Sequence, residues 1–102
     1  MAKTAIQIKE IDQVATATDD LYPGDEVIIT GVTTGTTLQV QERIPVGHKT
    51  AITKIDAHTE IYKYGEVIGI ATKEILPGQW VHVHNCWGIK ARRFSDMNER
   101  GE

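Results

Sequence analysis

Two of the four histidines in this 102-residue chain stand in a run that can bring their imidazoles together. The run VHVHNC, from Val81 to Cys86, alternates between apolar and polar residues, which is the pattern of a strand with one buried face. On such a strand His82, His84 and Cys86 share one face, and the valines point to the core. Imidazole is the commonest metal ligand and titrates near neutral pH. The run therefore predicts a site for a metal or a substrate, with two surface histidines as the alternative.

Two lysines stand beside glycines that mark turns. His48 and Lys49 follow Gly47 in a loop, and a His-Lys pair on a loop can hold a carboxylate. Lys63 comes two residues before Gly65, between two strand-like runs, so we expect it to project from a tight turn. A solvated loop and an ordinary surface lysine are the alternatives at these positions.

The sequence carries none of the motifs of a self-contained enzyme. It has no glycine-rich phosphate loop, no nucleophile elbow and no CxxC pair. Trp80 and Trp87 flank the histidine run, and in a small domain we expect large aromatic side chains to anchor the core or an interface. The clustered histidines and lysines are therefore the candidates for chemistry.

Composition limits the classes of protein to which the chain can belong. A formal charge of −3 leaves no dominant basic footprint of the kind that nucleic-acid-binding domains show. A single cysteine excludes an internal disulfide and fits a reducing compartment. No stretch approaches the roughly 18 to 20 apolar residues of a membrane helix, and residues 1–10 lack the apolar centre of a signal peptide. We expect one cytoplasmic domain that binds neither nucleic acid nor membrane.

Short strands separated by turns must position these side chains. Residues 5–11 alternate, with Ile6 and Ile8 on one side and Gln7 and Lys9 on the other, as a half-buried strand requires. Further strand-like runs follow at residues 14–17, 27–30, 38–40, 51–55, 60–64, 67–71 and 80–85. No window carries an apolar stripe of helical period, so we predict an all-β domain.

A turn pattern recurs along the chain, each time with an apolar residue, a turn, and an apolar residue that enters a strand. The three copies are residues 20–27, 54–61 and 74–81. Gly24 and Gly78 each follow a proline, and Pro-Gly predicts a type II turn, because proline presets φ and glycine accepts positive φ. His58 takes the place of this glycine in the second copy, so that turn is expected to differ in type.

Three strings, taken in this order and spacing, resemble the N-terminal domain of the altronate and galactarate dehydratase family. They are VGHK at 46–49, IYKYG at 61–65 with Ile68-Gly69 after it, and PGQWVHVHN at 77–85. The resemblance covers about residues 5–85. It implies a SAF-type β-clip domain of short strands and tight turns over residues 1–89, followed by a polar tail, residues 90–102, that is mobile or ordered by a partner.

The resemblance also implies a chemistry, which is the elimination of water from a hydroxy-acid with the help of a divalent metal, Fe²⁺ or Mn²⁺. Many family members carry this domain fused to a much larger catalytic region, whereas the similar sulfolactate sulfo-lyase has a small alpha subunit. We therefore expect the small subunit of a split lyase, inactive alone, which works with a large catalytic subunit on a sugar acid or related hydroxy-acid. The alternative is a non-catalytic sugar-acid-binding or assembly module, and a homo-oligomer is compatible with both.

The family's site positions carry over to six residues of this sequence. The resemblance implies catalytic roles for His48, His82 and His84, and substrate binding by Lys49, Lys63 and Asn85. His82 and His84 are also the expected metal ligands. The separate role of each residue stays open at this point.

Overall fold

Nine short strands form the part of the chain that the computed structural model describes, residues 3–32 and 35–88. They are β1 (Lys3–Gln7), β2 (Val14–Ala17), β3 (Glu26–Gly31), β4 (Thr36–Gln39), β5 (Lys49–Ala51), β6 (Glu60–Lys63), β7 (Glu66–Ala71), β8 (Trp80–Val81) and β9 (Cys86–Gly88). These residues contain no helix, which confirms the predicted all-β class, and hence none long and apolar enough to span a membrane. The predicted polar tail, residues 90–102, lies outside the described residues.

The strands form two sheets. Six strands are arranged in the order β4-β3-β1-β2-β5-β8, and the other three in the order β6-β7-β9. β1 and β3 run parallel, with Ala5 opposite Ile29, and the remaining pairs of described strands are antiparallel. Thr50 of β5 lies opposite Trp80 of β8 at one edge of the larger sheet.

Two clusters of buried aliphatic side chains form the core. The first contains Ala5, Ala15, Ala17, Leu21, Val27, Ile29, Val40 and Ile44. The second contains Val14, Ala51, Ile55, Ile61, Ala71, Ile75 and Val81. A large aliphatic side chain contributes about 1.5–3 kcal/mol when it is fully removed from water. β5, β6 and β8 each place a residue in the second cluster, and this packing fixes the strands that carry the candidate site.

Within the described residues the repeated turn has four copies rather than the predicted three. Each copy begins with a fully buried aliphatic residue: Leu21, Ile44, Ile55 and Ile75. Three residues later the backbone takes positive φ, at Gly24, Gly47, His58 and Gly78. The additional copy leads into His48 and Lys49, so it positions part of the candidate site.

The expectation that the turn at His58 differs in type is wrong. His58 has φ 68°, and Thr59 N–H donates to the Asp56 carbonyl at 3.3 Å. The glycine-containing turns have the same bond, as between Asp25 N–H and the Tyr22 carbonyl at 3.0 Å. The turn therefore keeps the same geometry with histidine at the positive-φ position, which is uncommon for a residue other than glycine.

The prediction that Ile6 and Ile8 form the buried side of the first strand is also wrong. Ile6 and Ile8 are 38% and 41% exposed, whereas Ala5 and Gln7 are buried. The small Ala5 side chain packs in the first core cluster. The Gln7 side-chain amide donates a buried hydrogen bond to the backbone carbonyl of Asp12 at 3.1 Å. A polar side chain with a satisfied hydrogen bond thus occupies the inner face, which hydrophobicity alone could not predict.

Candidate functional site

A turn at residues 82–85 carries two of the predicted site histidines. The backbone N–H groups of Asn85 and Cys86 both donate to the carbonyl oxygen of His82, at 3.0 and 2.9 Å. The buried Asn85 side chain closes the turn, because its Oδ1 accepts from the His82 N–H at 3.0 Å and its Nδ2 donates to the Trp80 carbonyl at 2.7 Å. Side-chain bonds of this kind compete with strand pairing, so β8 ends before the turn.

The predicted strand over residues 80–85 is therefore wrong beyond Val81. His82 and His84 do not alternate on one strand face, and Val83, which was expected in the core, is 81% exposed at the tip of the turn. An alternating sequence is compatible with both a strand and this turn. The buried amide that closes the turn decides between them.

A cleft of about 310 Å³ opens beside the turn. It is lined by Lys49, Lys63, Ile68, His82, Val83, Cys86 and Gly88. β5 supplies Lys49, β6 supplies Lys63 and the turn supplies His82, so segments that are distant in sequence meet here. Three of the six predicted site residues thus share one cavity.

The hairpin between β6 and β7 holds Lys63 at the cleft. Its two loop residues, Tyr64 and Gly65, have φ values of 57° and 76°, and two consecutive positive φ angles are the pattern of a type I′ turn. The prediction that Lys63 projects from a tight turn is confirmed. Tyrosine is unfavourable at positive φ, so this turn needs stabilisation from elsewhere.

The buried carboxylate of Asp12 supplies that stabilisation. It accepts hydrogen bonds from the backbone N–H groups of Gly65 at 2.8 Å, Tyr64 at 2.9 Å and Lys9 at 3.1 Å. Burial by itself would raise the pKa of Asp12, but these backbone donors outweigh it, so the pKa is lowered. Sequence analysis missed Asp12, because nothing in its neighbourhood distinguishes it from a solvated loop aspartate.

Lys49 and Lys63 make the cleft electropositive. Partial burial, and then repulsion from Lys63, lower the pKa of Lys49. Among residues 3–32 and 35–88, no carboxylate lines the cleft and no ion pair includes either lysine. Two partly buried ammonium groups without a counter-charge favour an anionic ligand, which would offset their repulsion and their lost hydration.

The cleft also favours the neutral forms of His82 and Cys86. Burial, followed by the positive charges of His48, Lys49 and His84, lowers the pKa of His82. Neutral imidazole, the form that accepts a proton, therefore predominates near neutral pH. Burial raises the pKa of the Cys86 thiol, and Lys49 opposes this only in part, which suits a half-buried packing residue.

The indole ring of Trp80 contacts three histidine rings beside the cleft. His82 stacks on it, with centroids 4.9 Å apart and planes 4° from parallel. His48 meets it edge-on at 5.5 Å, and His84 lies tilted at 5.4 Å. Trp80 was predicted as a core or interface anchor. Its side chain packs against the first core cluster, which confirms the core part of that prediction, and it also contacts the three imidazoles. Its position two residues before His82 was the only signal for this role.

Residues 3–88 match the family described as the altronate/galactarate dehydratase SAF domain. The chain belongs to this family. The resemblance carried by the GHK, KYG and HVHN strings is thereby confirmed, and the all-β architecture agrees with it.

The relatives of this SAF domain include long enzymes and short subunits. Altronate dehydratase of Bacillus subtilis (strain 168) is 36% identical over 83 residues, which are 81% of this chain and 16% of that protein. Altronate dehydratase of Escherichia coli (strain K12) is 38% identical over 80 residues, 78% of this chain and 15% of that protein. The (2R)-sulfolactate sulfo-lyase subunit alpha of Chromohalobacter salexigens is 38% identical over 56 residues, 55% of this chain and 56% of that subunit. The matched part of the chain thus spans about one sixth of each dehydratase and more than half of the alpha subunit.

The SAF domain's own residues do not fit a complete metal site. Among residues 3–32 and 35–88, no three His, Cys, Asp or Glu side chains converge on a position for an ion. His48 Nδ1 faces the Trp80 indole N–H at 3.3 Å, and His84 is exposed at the turn. A divalent metal would therefore need ligands from outside the described residues.

Asn85 has a different place from the other predicted site residues. This residue is 2% exposed. Both the Oδ1 and the Nδ2 of its amide make hydrogen bonds that hold the 82–85 turn. It therefore positions His82, and direct contact with a substrate stays a prediction. His48 and His84 lie outside the cleft lining but contact the Trp80 ring that His82 stacks on.

Proposed function

We propose that this SAF domain supplies lysine and histidine side chains to the active site of a lyase that eliminates water, or sulfite, from a sugar acid or related hydroxy-acid. The remainder of that site belongs to a large catalytic chain. The observation that carries the proposal is the cleft in which Lys49, Lys63 and His82 meet, with no neutralising carboxylate from the described part of the chain. Kinship with altronate and galactarate dehydratases supports the reaction class.

The two lysines bind the carboxylate of the substrate in this proposal. Lys49 is half-buried, and its ammonium group repels that of Lys63, so a carboxylate between them is stabilised by both charges. Hydrogen bonds to charged groups contribute about 1.5–3 kcal/mol each. His82 lines the same cleft, so in this proposal the carbon next to the bound carboxylate faces its imidazole.

His82 accepts the proton from that carbon. Its neutral form is favoured, and a general base must be unprotonated before it acts. The electron pair of the broken C–H bond forms a carbon–carbon double bond as the group on the neighbouring carbon leaves. The hydroxyl leaves as water after it takes a proton from an acid of the shared site, whereas the sulfonate leaves as sulfite with the electron pair of the C–S bond. The divalent metal that the resemblance implies, Fe²⁺ or Mn²⁺, is proposed to be held by the large chain, with His84 as an added ligand only in the complex. His82, the other ligand that the resemblance implies, keeps its lone pair for the proton in this proposal.

The lengths and names of the relatives support the proposal that this chain works with a larger partner chain. The chain covers 15–16% of two altronate dehydratases, and two other relatives are named as alpha subunits of (2R)-sulfolactate sulfo-lyase. A stable complex with a large catalytic chain in the cytoplasm is proposed on this basis. Self-association is a further prediction that is compatible with it.

Binding of a sugar-acid anion tests the cleft directly. We expect galactarate to shift the NMR resonances of Lys49, Lys63 and His82 in a saturable manner, whereas uncharged galactitol does not. Lys49→Met and Lys63→Met should each weaken galactarate binding about tenfold or more, because each removes a charge-assisted hydrogen bond.

Lys54→Met is the matched control for this experiment. Lys54 is exposed and already paired with Glu74 at 3.3 Å, so its loss should leave galactarate affinity within about twofold. Equal effects of all three substitutions would mean that the anion responds to net charge alone, and the cleft would then not be its binding site.

A non-catalytic sugar-acid-binding or assembly module is the alternative function. Binding of an anion in the cleft would support this module as much as it supports the lyase. The two functions separate on turnover, because a binding module leaves the rate of the complete lyase unchanged when His82 is replaced.

A further inference from the structure

Gln13 connects the two segments that carry the cleft lysines. Its backbone carbonyl accepts a hydrogen bond from the N–H of Ile52, the residue that follows β5, at 2.9 Å. Its backbone N–H donates to the carbonyl of Tyr62 in β6 at 3.2 Å. Because β5 begins at Lys49 and β6 ends at Lys63, this one residue is bonded to both lysine-bearing segments.

The side chain of Gln13 adds a second bond to β6, at an irregular position of that strand. Its Oε1 accepts from the backbone N–H of Tyr62 at 2.9 Å. The pairing of β6 with β7 shifts register between Ile61 and Tyr62, and an irregularity of this kind interrupts the ladder of backbone hydrogen bonds. The Gln13 side chain therefore provides an acceptor where the ladder is interrupted, one residue before Lys63.

Gln13 holds β6 from outside the cleft. It is not among the described residues that line the cleft, so it does not contact a carboxylate that binds there. The preceding residue, Asp12, accepts from the backbone N–H of Tyr64 at 2.9 Å, and Gln13 accepts from that of Tyr62. Lys63 thus lies between two backbone positions that are both bonded to residues 12–13.

We propose that Gln13 is a positioning residue that sets the separation of Lys49 and Lys63, and with it the affinity of the cleft for a carboxylate. The two ammonium groups repel each other. A loosened β6 therefore lets Lys63 move away from Lys49, and a carboxylate then no longer contacts both. The effect on affinity rests on the proposed function, whereas the link between the two segments does not.

Hydrogen exchange of the full chain tests the link. Gln13→Met keeps the length of the side chain and removes the acceptor, so the Tyr62 amide should exchange about two- to tenfold faster. Gln13→Glu keeps an acceptor oxygen and should leave this rate within about twofold of the wild type. If Gln13→Met does not fold, Gln13→Asn, whose amide is one carbon shorter, takes its place. Unchanged exchange in the variant without the acceptor, or equally fast exchange in Gln13→Glu, would overturn the link.

Binding of galactarate and turnover test the positioning role. In Gln13→Met the Kd of the folded chain for galactarate should rise about three- to tenfold, because part of one charge-assisted contact is lost. Gln41→Met is the matched control, since the Gln41 side chain donates to the nearby Gln39 carbonyl, and it should leave the Kd within about twofold. In the assembled lyase, Gln13→Met should raise KM by a similar factor while kcat stays within about twofold.

The outcomes separate positioning from a purely structural role. A residue that only stabilises the fold would change neither the Kd nor the KM of the folded protein. An unchanged Kd in Gln13→Met, an equal rise in Gln41→Met, or a fall in kcat at constant KM would each overturn the positioning role. If the wild-type chain does not bind galactarate, the proposed function is overturned instead, and the exchange of the Tyr62 amide still decides whether Gln13 holds β6.

Discussion

His82→Ala is expected to lower kcat of the complete lyase by about 100- to 10,000-fold, the range that general acid–base groups contribute. The reason is that His82 is the one imidazole that lines the cleft with Lys49 and Lys63. The chain should keep its fold, because the 82–85 turn is held by the His82 backbone rather than by its ring. Steady-state kinetics of the complex, with circular dichroism of the variant chain, measure both.

Two other histidine variants make this result specific. His58→Ala removes an exposed imidazole that does not line the cleft and should leave kcat within about twofold. His84→Ala tests the remaining ring beside Trp80, and full activity in that variant would remove His84 from the mechanism. Full activity in His82→Ala would contradict the proposed role of the cleft.

Asp12→Ala is expected to destabilise the chain by about 2–4 kcal/mol, because it leaves three backbone N–H groups without their charged acceptor. Those donors belong to Lys9, Tyr64 and Gly65, so the hairpin that carries Lys63 loosens first. Urea unfolding measures the free energy change. Asp56→Ala is the matched control, since its carboxylate is exposed and 3.7 Å from Lys54, and it should cost less than about 0.5 kcal/mol.

The same carboxylate predicts how stability depends on pH. The pKa of Asp12 is lower in the folded chain than in the unfolded chain. At pH values between these two pKa values, unfolding therefore takes up a proton. The contribution is complete above the unfolded pKa of about 4 and is lost as the pH falls through the lower folded value. Asp12→Asn should therefore flatten the loss of stability below about pH 4. An equally steep acid transition in Asp12→Asn would contradict this account.

The sequence was a good guide to the elements whose side chains carry an unambiguous local preference. Pro23-Gly24 and Pro77-Gly78 mark turns with positive φ at glycine, and the KYG string marks the hairpin that holds Lys63. The resemblance then indicated which lysines and histidines belong together. Three of those residues do meet in one cleft.

The remaining features depend on contacts between distant residues. Asp12 bonds residues more than fifty positions away, and the amide of Asn85 changes an alternating run from a strand into a turn. Burial of Gln7 likewise depends on a hydrogen bond that hydrophobic periodicity does not encode. In each case the hydrogen bonds of a buried polar side chain determine the local structure. The partners in these hydrogen bonds can be identified only from the three-dimensional structure.

Reconstitution with the large catalytic chain is the most direct test of the central claim. The tagged chain is purified from its native cell, the co-purifying chain is identified by mass spectrometry, and both are assayed apart and together on altronate, galactarate and sulfolactate. We predict a stoichiometric partner several times larger and elimination from one of these acids only when both chains are present. If the large chain alone works at the full rate, or the SAF domain purifies only with itself, the claim that it completes a shared active site is contradicted.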